Sequence, residues 1–204
     1  MMMVLIAQIF SSPAAFFSEW GNWILSIDAR AEYFFTAIRD PFWTQFFSVV
    51  GLLGKWHVVF GILAAVSFAL WFLNKRILLV PLWLSVGGAE LITLVLKNMI
   101  MRPRPEMASV VEKSFAFPSG HATLAVALYG FIAYILFRMC RTRKEKIIVS
   151  VISMFIVLLI GFSRLYLGVH YISDVLAGYL VGAIGLCVGM YVAEHCCEQK
   201  KMLR

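Results

Sequence analysis

Two histidines, one carboxylate and three cations stand along this chain in an order that suits phosphoryl chemistry. In "SRLYLGVHYISD", His170 and Asp174 are four residues apart. On a helix that begins at or just before His170 they share one face. A carboxylate there accepts the proton of one imidazole nitrogen, fixes the tautomer and leaves the other nitrogen free to act as a nucleophile. Asp174 falls just inside an apolar run, where an unpaired charge is costly, so a partner is expected. In "PSGH", Ser119 and Gly120 open a second apolar run. A hydroxyl and backbone N–H groups at a helix N-terminus face where an anion would sit, and glycine permits close approach. His121 follows, placed to protonate a leaving oxygen. Lys97, Arg102 and Arg104 of "KNMIMRPRP", with Arg164, offer the forks and the point charge of which three around one site would hold phosphate and stabilise its transition state.

The elements that must position these groups are membrane helices. Of 204 residues, 62% are hydrophobic and only 14% charged, and the mean hydropathy is +0.87. A soluble domain of this size carries about a quarter charged residues. The fold class is therefore an all-α integral membrane protein, a helical bundle. Five runs are long enough to cross about 30 Å of hydrocarbon, near 56–73, 77–97, 119–138, 147–164 and 172–194. A sixth, N-terminal span is expected to run to about Leu25, broken at Ser11, Ser12 and Pro13. Residues 1–55 read as membrane-inserted or interfacial helices, with a break at Asp40-Pro41, and residues 56–195 as the catalytic bundle of a single domain. The aromatic runs in 33–47 read as an interfacial belt.

The net charge of +7 is gathered in short loops rather than spread over a nucleic-acid surface. Lys75, Arg76, Arg138, Arg141, Arg143, Lys144, Lys146, Lys200, Lys201 and Arg204 fall on one side, which the positive-inside rule makes cytoplasmic. Loop 98–118, the start of the 119 helix and the 165–171 turn then face the other side. Lys97, Arg102, Arg104, Lys113 and Arg164 stand there against the rule, and an anionic ligand explains them. The four cysteines lack zinc-ribbon spacing and read as free thiols.

The segments Lys97 to Arg104-Pro105, residues 118–121, and Ser163-Arg164 to His170 and Asp174 match without substitution K-x6-RP, PSGH and SR-x5-H-x3-D. In these the chain resembles the type 2 phosphatidic acid phosphatase superfamily of membrane lipid phosphatases, which also includes soluble vanadium haloperoxidases. The likeness covers roughly residues 40–195. It implies hydrolysis without metal or other cofactor, through a phosphohistidine. His170 would be the nucleophile, Asp174 would orient it, and His121 would protonate the leaving group. Lys97, Arg104, Ser119, Gly120 and Arg164 would bind the phosphate.

The substrate class is a lipid phosphate delivered by the bilayer. Phosphatidic acid, phosphatidylglycerol phosphate, undecaprenyl pyrophosphate and lipid A phosphate are the candidates, and a short 98–118 loop favours small heads. The location implied is a bacterial cytoplasmic membrane, with the site facing outward. A phosphotransferase with a lipid acceptor is the alternative enzyme. A lipid-binding transporter or scaffold would not need the His170, His121 and Asp174 set. Outside the motifs, Arg102 and Lys113 read as solvated loop residues and His57 as an interfacial one. Glu90 reads as a paired structural group, a residue that tunes the site, or one that faces water.

Overall fold

The computed structural model describes the backbone of residues 13–202 and the side chains of residues 21–196. Among the described residues there are seven α-helices: α1 (Pro13–Ala37), α2 (Pro41–Leu52), α3 (Trp56–Phe72), α4 (Leu79–Ile100), α5 (Gly120–Met139), α6 (Arg143–Tyr166) and α7 (Ile172–Met202). A single 3-10 turn, Arg76–Leu78, leads into α4. Local sequence sets several of these ends. Asp40 caps α2 by accepting hydrogen bonds from the backbone of Phe42 at 2.9 Å and Trp43 at 3.4 Å, with Pro41 in the first turn. Thr142 and Glu145 form a reciprocal capping box at the start of α6. Gly168 turns the chain from α6 into α7 with φ +66°, a left-handed conformation that suits glycine.

The 3-10 turn with α4, together with α5, α6 and the part of α7 up to Cys196, is long and apolar enough to cross a membrane. A fifth span is made only by α2 and α3 together, bent by 44° at their junction. The 56–73 run therefore does not make a span by itself; it does so only joined to α2. The N-terminal span expected to run to about Leu25 lies partly outside the described residues, which begin at Pro13. What is described is one helix continuing from Pro13 to Ala37.

Small residues let α7 sit deep between its neighbours. A Cβ at Gly178 would lie 2.5 Å from the Ser119 carbonyl oxygen, and one at Gly182 would lie 2.6 Å from that of Thr123, both on the α5 side. On the α4 side, a Cβ at Gly185 would lie 2.6 Å from the Ser85 carbonyl oxygen, and one at Gly189 would lie 2.8 Å from that of Pro81. Hydrocarbon offers helices no hydrophobic drive to associate, so such backbone approach is the main source of packing energy. Leu63, Leu82, Val86, Leu128 and Phe131 fill the interior beside this seam. Phe68, Phe72, Phe155, Leu176 and Leu180 are exposed, as bilayer-facing side chains are. Because α4 and α6 run toward one face and α5 and α7 run away from it, Lys97, Ser119, Arg164 and His170 all come to the same end of the bundle.

Candidate active site

The three polar segments meet at that end. Lys97 occupies the last turn of α4 and donates from Nζ to the Phe115 carbonyl at 2.5 Å. Arg104 is held as a fork: Nε donates to the Ser114 carbonyl at 2.7 Å, Nη2 to Ser114 Oγ at 3.0 Å and Nη1 to the Val169 carbonyl at 2.8 Å. The same Nη1 lies 3.3 Å from His170 Nε2. The backbone N–H of Ser119 donates to the Asp174 carbonyl at 2.9 Å, which ties the start of α5 to the start of α7. Arg164, in the last turn of α6, packs its guanidinium so closely on Gly51 that any side chain there would collide with it. A cavity of about 350 Å³ opens at this point, lined among others by Lys97, Arg104, Gly120, His121 and His170. Ser119, Arg164 and Asp174 are buried next to it.

His170 is 3% exposed. Its Nδ1 stands 3.5 Å from Asp174 Oδ2, slightly longer than a formed hydrogen bond. Catalytic contacts are often this loose before substrate binds. Asp174 Oδ2 also accepts from the Tyr171 N–H at 3.0 Å. Burial pushes the His170 pKa down to about 4, against the pull of the Asp174 carboxylate and with help from Arg104. Burial also lowers that of Arg104, with Glu112 and Asp174 opposing. His170 is therefore neutral at neutral pH, with Nε2 directed at Arg104. At the N-terminus of α5, Ser119 occupies the cap position, yet its side chain makes no capping bond. The hydroxyl is buried with no hydrogen-bond partner, a costly state that an anion would relieve.

Five residues near the site lie outside the three motifs. Arg102, read from sequence as a solvated loop residue, is instead half-buried and pairs with Asp174 Oδ1 at 2.7 Å and Asp28 Oδ2 at 2.8 Å. It is the partner that a carboxylate inside an apolar helix demands. Asp28 belongs to α1 and is 2% exposed, and no local pattern in "LSIDAR" marks it. Glu112 of the loop pairs with two of the cations, with Oε2 at 2.8 Å from Arg104 and Oε1 at 3.6 Å from Arg164. Glu90 lines the deeper wall of the cavity with Oε2 unpartnered. Lys113 is exposed at the rim. Among the described residues, Glu112, His121 and His170 each present a ligand atom within 4.8 Å of the others, a grouping that could take a metal ion. Three cations beside them make the place better suited to an anion.

A polytopic helical bundle whose helix ends gather two histidines, a buried carboxylate and three cations is a membrane-embedded phosphatase. Residues 78–196 match the model of the PAP2 superfamily, and the chain belongs to that superfamily. Over 165 residues it is 33% identical to phosphatidylglycerophosphatase B of Bacillus subtilis, covering 80% of this chain and 81% of that one. The crystal structure of a transmembrane PAP2-type phosphatidylglycerolphosphate phosphatase from Bacillus subtilis aligns with a TM-score of 0.77 at 30% identity, covering 99% of this chain and 94% of the other. The lipid A 4'-phosphatase of Bacteroides thetaiotaomicron is 26% identical over 190 residues, covering 85% of this chain and 80% of that one. The family read from the three motifs is the family found.

Proposed function

We propose that the protein hydrolyses the terminal phosphate of a small-headed lipid, of the phosphatidic acid or phosphatidylglycerol phosphate kind, on the non-cytoplasmic face of a bacterial cytoplasmic membrane. The observation that carries this is the His170 imidazole, neutral and buried, with Nδ1 toward Asp174 and Nε2 toward the cavity 3.3 Å from Arg104. Lys97, Arg104, Arg164, Ser119 Oγ and the Gly120 N–H hold the phosphoryl oxygens. Nε2 attacks phosphorus, the bond to the lipid oxygen breaks, and His121 gives that oxygen its proton. Water then attacks the phosphohistidine, His121 takes the water's proton, and His170 departs neutral as free phosphate leaves. The Glu112 carboxylate sits on two of the phosphate-binding arginines, so it must give way when substrate enters.

Support for a small head comes from the cavity, about 350 Å³, at the low end for ligand pockets. It comes also from the relative named for phosphatidylglycerol phosphate. The relative that acts on lipid A keeps larger heads in the comparison. The basic loops on the opposite side of the bundle support the orientation. The test is release of inorganic phosphate by the purified protein in mixed micelles, with the four candidate lipids in parallel and no acceptor lipid present. Small-headed monoesters are expected to turn over fastest, and His170→Ala to abolish release from all of them. Unchanged release by His170→Ala overturns the mechanism, and phosphate release that requires an added acceptor points to the phosphotransferase instead.

A further inference from the structure

We infer that Arg102 and Asp28, neither of them in the three motifs, are positioning residues that hold the Asp174 carboxylate against the nucleophile. The inference rests on the reading of His170 given above. It is carried by a chain of contacts that spans three parts of the fold. Asp28 projects from α1 and accepts from the Ser173 N–H at 3.0 Å and from Ser173 Oγ at 2.5 Å, so it caps the start of α7 from outside. Its Oδ2 also accepts from Arg102 Nη2 at 2.8 Å. Arg102 turns its other nitrogen, Nη1, onto Asp174 Oδ1 at 2.7 Å and Ser173 Oγ at 2.6 Å. Its guanidinium stacks on the Tyr171 ring at 4.1 Å. Asp174 is thereby clamped at Oδ1, and only Oδ2 is left to face His170.

Only an arginine in this place can do this. The two carboxylates lie on opposite sides of one planar fork, and a lysine offers a single point charge to both. Burial works to lower the Arg102 pKa, but the hydrogen bonds and charges of Asp28 and Asp174 outweigh it and raise it, so the clamp stays charged. The geometry also sets how strongly Asp174 acts on the imidazole. Shared with Arg102, the carboxylate attracts a proton on His170 less than it would alone. Asp28 in turn draws Arg102 away from Asp174. The other charged or titratable groups around His170 are Lys97 of α4, His121 of α5, and Arg104 and Glu112 of the loop, with Arg164 of α6 beyond Glu112. None of these contacts Arg102 or Asp28 in the structure, so substitutions at those two positions leave them in place.

The experiment uses the full chain in mixed micelles with a short-chain phosphatidic acid, and compares wild type, Arg102→Gln, Arg102→Lys and Asp28→Asn. Rates are normalised to folded protein by size-exclusion chromatography. Misplacement of a catalytic group by about 1 Å costs on the order of 100-fold. Arg102→Gln is expected to lower kcat by about ten- to a hundredfold with KM within about twofold. It should also move the acid limb of kcat/KM to higher pH, because the unshared Asp174 charge favours protonated His170. Arg102→Lys restores part of kcat. Asp28→Asn moves the limb the other way, because Arg102 then settles more fully on Asp174. The substrate's own ionisation is common to all four and cancels. Wild-type kcat in Arg102→Gln overturns the inference. So does a lower rate with the limb unmoved in both Arg102→Gln and Asp28→Asn, which is what a purely structural role gives. If instead His170→Ala still releases phosphate, the reading of the nucleophile has failed, whatever the Arg102 variants do.

Discussion

Replacing Asp174 with asparagine keeps the shape of the side chain, and the contacts around it decide which way the amide turns. Asp174 Oδ1 receives Arg102 Nη1 at 2.7 Å, while Oδ2 receives the Tyr171 N–H and faces His170 Nδ1. An amide has one acceptor oxygen and one donor nitrogen. The charged guanidinium makes the stronger demand, so the oxygen goes to Arg102 and the NH2 turns toward His170. Nδ1 must then accept a hydrogen bond, and the ring proton moves to Nε2, the atom that should attack phosphorus. The substitution also sets the NH2 against the Tyr171 N–H. A wrong tautomer in a comparable acid–histidine pair costs about 10⁴-fold in kcat. That is about 5 kcal/mol of barrier at about 1.4 kcal/mol per tenfold. The assay is kcat of phosphate release at saturating lipid for wild type and Asp174→Asn, with vanadate affinity measured in parallel. A fall of about 10³- to 10⁴-fold is expected, with vanadate affinity little changed. Retention of more than about a tenth of wild-type kcat refutes the tautomer reasoning.

Four further outcomes follow from the same geometry. Glu112→Gln removes the charge that occupies Arg104 and Arg164, and one displaced charge-assisted contact is worth about 1.5 kcal/mol; the vanadate inhibition constant is expected to fall by about tenfold, and a rise would mean that Glu112 assists binding. Gly182→Val places methyl groups against the Thr123 carbonyl and Val126, so thermal unfolding in detergent should begin at lower temperature, and an unchanged Tm contradicts the close packing of α5 on α7. His170, lowered to about 4 from 6.5, stays neutral as pH falls until the region of 4; after correction for the substrate's ionisation, kcat/KM should hold between pH 7 and 5, and a midpoint near 6.5 contradicts it. The sign for stability is the same, since the unfolded histidine takes up its proton near 6.5 and the folded one only near 4, so the stabilisation present above 6.5 is lost as pH falls between those values. Activity should survive EDTA, and abolition by the chelator with recovery on added magnesium would contradict a reaction that proceeds without metal.

Much of the site was legible because a membrane makes polar residues conspicuous. Ser119, His121, Arg164, His170 and Asp174 interrupt or border apolar runs, and each needs a reason to be there. Hydropathy likewise reveals the spans, because only helices satisfy their own backbone in lipid. The start of α6 was missed: the apolar run placed it at 147, whereas the helix begins four residues earlier at Arg143, where Thr142 and Glu145 close a capping box. The clamp was not legible. Arg102 and Asp28 are 74 residues apart, and nothing local tells an arginine that reaches a buried carboxylate from one that faces water. The bent α2–α3 span was hidden for a related reason. Its junction is shaped by long-range packing, with Gly51 against Arg164 and Gly54 against His121. Composition alone showed only an aromatic, weakly charged stretch.

The central claim is that phosphate passes through His170. Rapid quench of the enzyme with substrate into alkali, where phosphohistidine survives, followed by peptide mass spectrometry, tests it most directly. A phosphoryl group on the peptide containing His170, absent from His170→Ala and accumulating in His121→Ala, is the expected result. Turnover with no phosphorylated histidine under those conditions, or with the group on His121, contradicts the account.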